Sequence, residues 1–181
     1  MNREAWLQKA TKLIARRVKE KAGVEVPQDV QVSCGWPGGG SPNKRIGECW
    51  PRSRSAEGVN QVFISPRLDD RDMVLATLVH ELVHATDDCA SGHGKGFSKV
   101  ARAVGLEGKM TSTVAGDELK AWFKDLALPA YPHKSVMPGS GRSNRSGVRV
   151  KIECPDTGMA FWVSKAGYQL VNNCPFCDGV H

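Results

Sequence analysis

The chain has 181 residues, 40% of them hydrophobic and 24% charged, which leaves room for one medium domain or one domain with a small appendage, folded around a real core. Its net charge of +6 favours anionic partners, nucleic acid first, and says nothing of fold. No apolar run is long enough to span a bilayer, and the opening MNREAWLQKATKLIARR lacks an apolar export segment; a cytoplasmic protein with reduced thiols is expected.

Trp6, Ala10, Leu13, Ile14 and Val18 fall at helical spacing, and Gly23 ends the pattern. The opposite face of this first helix carries Lys9, Lys12, Arg16 and Lys19, either a solvated face or a phosphate-facing stripe. From Pro27 to Ser65 the pattern turns β-like. DVQVSCGW alternates and breaks at PGGGSP, and IGECW and NQVFIS read as two more short strands. A helix follows, capped by Asp69 or Asp70. Val74, Leu75, Leu78, Val79, Leu82 and Val83 make it apolar over most of its circumference, the mark of a helix buried inside a domain. Two further helices are expected, one bearing Phe97, Ala101 and Val104 and stopping at Gly105, the other bearing Leu119, Trp122, Phe123 and Leu126. Proline, glycine, serine and arginine then mark a linker over 129–147. Residues 148–181 alternate again around PDTG and KAG, a small antiparallel unit that needs a staple.

The chemistry is concentrated in HELVHATDDCASGHGKGF, from His80 to Phe97. His80 and His84 lie one turn apart on one helix face, and Glu81 is displaced by about 100° around the axis. This is the H-E-x-x-H arrangement, with two metal ligands and a general base. An ion held by neutral imidazoles with one open position acidifies a bound water and polarises a carbonyl, and Glu81 would take the water's proton. A helix that merely happens to carry these groups would bury two histidines and a glutamate at a cost. The metzincin extension is absent, because Asp87 and Ala90 stand at its glycine and third histidine. His93, flanked by Gly92 and Gly94, is favoured as third ligand, with Asp87 and Asp88 as rivals that fit better as partners of an imidazole N–H. Cys34, Cys49 and Cys89 read as structural, Cys89 with no partner in sight.

TLVHELVHA, then GHGKGF, then an apolar helix ending in glycine, with GECW and NQVFISP upstream, resembles the SprT-like metallopeptidase family, which includes proteases of DNA-crosslinked proteins. The resemblance covers roughly residues 1–130. It implies zinc on His80, His84 and His93, a catalytic Glu81, and a minimal zincin of helices on a small sheet whose edge lies above the metal. SprT-like chains often end in a zinc ribbon. Here CPFC supplies Cys174 and Cys177, and Cys154 precedes them, but Thr157 stands where a fourth cysteine would be. His181 or Asp156 could complete a second, structural zinc site. The alternative is a degenerate ribbon packed on Phe161, Trp162 and Tyr168.

The expected protein is therefore α+β, with a SprT-like zincin domain over 1–128, a linker over 129–147 and a zinc-ribbon-like unit over 148–181. The expected activity is zinc-dependent hydrolysis of peptide bonds, in proteins associated with DNA. Substrate should add as a strand beside NQVFIS. The ribbon, with Arg142, Arg145 and Arg149 near it, should contact DNA. A nucleic-acid-binding ribbon protein with a non-catalytic SprT-like domain is the alternative, and a metal-stabilised interaction module is a weaker third reading. Glu81 discriminates, because a protein that only holds metal has no chemical need of it.

Overall fold

Asn2 accepts a hydrogen bond from the Ala5 N–H and starts helix α1 (Arg3–Ala22), which Gly23 ends at φ 68. In the computed structural model, which describes residues 1–38, 45–132 and 149–164, α1 buries Trp6, Leu7, Ala10, Ile14 and Val18. Lys9, Lys12, Arg16 and Lys19 are exposed. The expected apolar stripe is the core face except for Leu13, which is only partly buried, and Leu7, Thr11 and Arg17 join it. Arg17 is buried, donates to the Val104 carbonyl at 3.0 Å, pairs with Glu118 and lies over the Trp122 ring.

The protein is α+β. Three short strands, β1 (Gln31–Cys34), β2 (Gly47–Trp50) and β3 (Gln61–Ile64), form a sheet in the order β1-β3-β2, with β1 parallel and β2 antiparallel to β3. Val62 and Ile64 of β3 face the helices, and so do their partners Cys49 and Gly47 on β2. Trp50 and Phe63 meet edge-on at 4.9 Å on the other face. Helix α2 (Arg71–Ala85) is capped by Asp70 and has Asp72 in its first turn. Val74, Leu75, Leu78, Val79, Leu82 and Val83 are all buried, as a helix apolar on most sides requires.

Helices α3 (Lys95–Ala103) and α4 (Asp117–Asp125) occupy the expected stretches, and Gly105, at φ 99, follows α3. Between them lies a hairpin the sequence pattern did not signal, β4 (Leu106–Lys109) and β5 (Ser112–Ala115). Its strands have four residues each and carry charges and glycine, so no run of alternation is long enough to register.

The chain divides into two compact units, Met1–Ser135 and Val136–His181. Packing in the first runs past residue 128, where the linker was expected to begin. The Trp6 indole donates to the Pro129 carbonyl at 2.9 Å, and the buried Tyr131 meets the Trp6 ring edge-on at 5.0 Å. Prolines there prevent regular structure without preventing burial. In the second unit β6 (Arg149–Glu153) pairs antiparallel with β7 (Ala160–Ser164) across the PDTG turn. The turn closes with the Cys154 N–H on the Met159 carbonyl and the Gly158 N–H on the Cys154 carbonyl. Cys154 is buried at the base of this turn. Trp162 is 62% exposed, so it is not the core residue expected of a ribbon held by packing alone. Cys174, Cys177, His181 and Tyr168 lie outside the described residues.

Candidate metal centre

Helix α2 sets His80 and His84 one turn apart, with ring centroids 5.0 Å from each other. The chain then leaves the helix through a loop that returns His93 to the same spot. Gly92 in that loop has φ 48, where a side chain would be strained. Gly94 has an ordinary φ and serves as the N-cap of α3. His93 Nε2 stands 3.2 Å from Nε2 of both His80 and His84. Ligands about 2.0–2.1 Å from a tetrahedral ion stand roughly 3.3–3.4 Å apart, so the spacing fits one metal ion held by all three. Thr113 Oγ1 lies 2.8 Å from His80 Nδ1. With that nitrogen donating its proton to the hydroxyl, Nε2 keeps its lone pair for a metal. Phe97 is buried beneath the cluster, stacked on His84 at 4.3 Å and within 4.9 and 5.2 Å of His80 and His93.

Burial, with the neighbouring histidines adding to it, pushes His80 down to about 3 and His84 down to about 4. Burial also lowers His93. All three imidazoles are therefore neutral near pH 7, the form that ligates metal. Three ring nitrogens this close together could hold one metal ion, and the chemistry of an all-imidazole donor set fits zinc. Asp87 and Asp88, the rival ligands, are engaged elsewhere. Asp87 accepts from the Ser91 N–H, and Asp88 from the Arg52 N–H and the Asn60 amide at 2.7 Å each. They pin the loop, and Thr113 takes the part of imidazole partner expected of them. Sequence reading missed Thr113 with its hairpin. The short β-branched run Thr113–Val114 after a turn is the signal that could have found it.

Glu81 is buried beside the cluster and has no ion pair among the described residues. Burial is the main cause that pushes its carboxyl up to about 8, with Cys89 and Glu48 adding to it. Arg45 and the Cys49 backbone N–H pull the other way. The carboxylate fits against β2 because residue 47 is glycine. A Cβ there would stand 2.6 Å from Glu81 Oε1 and 2.5 Å from Thr77 Cγ2.

These groups line a cleft of about 720 Å³ between β2 and the β4–β5 hairpin, which also takes in Met73, Ile46 and Val114, exposed at 51, 43 and 59%. The strand beside the cleft is β2. The expectation that substrate adds beside NQVFIS is overturned, because β3 is the middle strand and spends both edges on β1 and β2. The order of strands along the chain does not give their order in a sheet. Among the described residues the outer strands of this sheet are β1 and β2, and of these it is β2, GECW, that lines the cleft. Comparison of the chain with protein-family models, with curated proteins and with solved structures found no match.

Proposed function

We propose that the first unit is a minimal zincin-like peptidase that hydrolyses peptide bonds with zinc on His80, His84 and His93. The observation that carries this is the convergence of three neutral imidazoles at the floor of a cleft, with a buried carboxyl beside them and an outer strand of the sheet along one wall. Zinc held there would supply a Lewis acid that acidifies water and polarises the scissile carbonyl. A cation on the three imidazoles would favour the charged form of Glu81 and draw it below its metal-free value; as a carboxylate it would take a proton from the attacking water and pass it to the leaving amine nitrogen. Thr113 fixes the His80 ring, and Phe97 limits the tilt of all three rings. An extended peptide pairs its backbone with the outer edge of β2, recognition that needs no sequence. The exposed apolar Met73, Ile46 and Val114 offer contacts to large apolar side chains of that peptide. A metal site with a tethering role alone would not need to bury Glu81 against a cleft without a cationic partner, at a cost in stability. The basic surface supports DNA-associated proteins as substrates. A second, structural zinc on Cys154, Cys174, Cys177 and His181 remains part of the proposal for the second unit.

The test is Glu81→Gln, which is nearly isosteric. Turnover of an unfolded or DNA-crosslinked protein is expected to fall by about 10²–10⁴ while zinc content and melting temperature hold. Equal turnover by the two proteins would remove Glu81 from the mechanism, and no turnover by either would favour a metal-holding module.

A further inference from the structure

Two of the cysteines read from sequence as structural meet across the sheet and the loop. Cys89 Sγ lies 3.5 Å from Cys49 Sγ and 3.6 Å from the Cys49 carbonyl oxygen, although 40 residues separate them. Both residues line the cleft, which gives a small solute a route toward the two sulfurs.

The backbone that brings Cys89 there is unusual. Asp88 and Cys89 sit at φ 55 and 63, left-handed values that residues with side chains seldom adopt in succession. Three bonds impose them. The Cys89 N–H reaches back to the His84 carbonyl at 2.8 Å, and the Asp88 carboxylate holds the Arg52 N–H and the Asn60 amide. The loop is thereby fastened to the β2–β3 connection with the Cys89 thiol aimed at β2.

We propose that Cys49 and Cys89 are a redox-modification site, a dithiol that a peroxide entering the cleft converts to a disulfide. Cys89 sulfur attacks the peroxide O–O bond, takes one oxygen as a sulfenic acid and releases hydroxide, which leaves as water with the proton of the thiol. Cys49 sulfur then displaces the hydroxyl from Cys89, forming the S–S bond and a second water. Two thiols and one hydrogen peroxide thus give one disulfide and two waters. The sulfurs need approach by only about 1.5 Å to reach the ~2.05 Å bond length. The bond would tie the outer strand β2 to the loop that carries His93, and would act on the Cys49 N–H that faces Glu81. The disulfide itself does not rest on the peptidase reading.

The test uses the full-length, zinc-loaded protein. It is treated with hydrogen peroxide at a few equivalents, quenched with N-ethylmaleimide and mapped by peptide mass without reduction. The Cys49 and Cys89 peptides should appear joined, and dithiothreitol should separate them. In Cys49→Ser, Cys89 should be trapped by dimedone as the sulfenic acid. In Cys89→Ser, Cys49 should remain open to alkylation. Joining of either peptide to another cysteine, or both thiols still alkylated in the treated wild type, overturns the proposal.

Discussion

Gly47 does no chemistry, yet it decides where the proposed base can sit. Alanine there would drive a methyl group into Thr77 and Glu81, whose atoms stand 2.5 and 2.6 Å from the ideal Cβ position. Relief requires the Thr77 and Glu81 side chains to turn aside or β2 and α2 to part. We expect Gly47→Ala to cost about 1–3 kcal/mol, read as a lowered melting temperature. Turnover should fall further than stability alone accounts for, because Glu81 moves with the strand. A variant with wild-type melting and turnover would mean the strand gives way freely. Thr113 acts through His80. Thr113→Val keeps the shape and removes the oxygen 2.8 Å from Nδ1. Zinc affinity, measured by competition with a chelator, is expected to drop about 10–100-fold, and Thr113→Ser should restore it. If valine binds zinc as tightly as threonine, the hydroxyl does not orient the ring.

At the scale of elements, α2 places groups of opposite titration behaviour side by side. Glu81 is raised to about 8 from an ordinary 4.5, so the stability it contributes is present at low pH and is lost as pH rises through 8. His80 and His84 are lowered to about 3 and about 4 from 6.5, so the unfolded chain takes up their protons first and stability is lost as pH falls below 6.5. Metal-free protein should therefore be most stable near pH 6.5, with melting temperature falling on both sides. Glu81→Gln should flatten the alkaline side and steepen the acid side between 4.5 and 6.5, because the Glu81 contribution declines from 4.5 upward. A melting temperature that climbs steadily from pH 6 to 8 would contradict the buried, protonated state of Glu81.

The elements also show what the sequence made legible. Helix α2 could be read because its chemistry is local: the i, i+4 histidines and the capping aspartate need only helical geometry. His93 was within reach because the glycines beside it advertise a turn. The β4–β5 hairpin was not legible, since Glu107, Gly108 and Lys109 give no alternation, and Thr113 was lost with it. The meeting of Cys49 with Cys89 was equally hidden. It depends on left-handed backbone at two residues that do not ask for it, held by a carboxylate bonded across 36 residues to Arg52. The choice of β3 over β2 as the substrate edge failed for a related reason, because strand order is a tertiary fact.

For the whole molecule, the net charge of +6 joins with exposed cations on α1. Lys9, Lys12 and Arg16 have no carboxylate partner among the described residues, whereas Lys19 pairs with Glu25 at 2.7 Å. Three phosphate contacts would give an affinity for duplex DNA falling with a slope of about −2.7 in log salt, or several tens-fold between 50 and 200 mM. Fluorescence anisotropy across that range, with the Lys12→Glu/Arg16→Glu double variant beside wild type, measures it. The double variant is expected to lower the slope by nearly 2 units. An unchanged slope would place the contacts with Arg142, Arg145 and Arg149, and a salt-independent affinity would remove phosphate recognition altogether.

Phe97 gives the centre a built-in reporter. Its ring lies nearly parallel to that of His84, at 28° and 4.3 Å, and is inclined to those of His80 and His93. Aromatic ring currents shield nuclei above a ring's face and deshield those at its edge. The carbon-bound protons of His84 should therefore resonate upfield of their usual positions, and those of the other two histidines should be displaced by different amounts. Three histidines that crowd the same few ångströms thus acquire separate signals in a proton spectrum. Filling of the site, or its distortion by a thiol bond nearby, could be followed one imidazole at a time without a label.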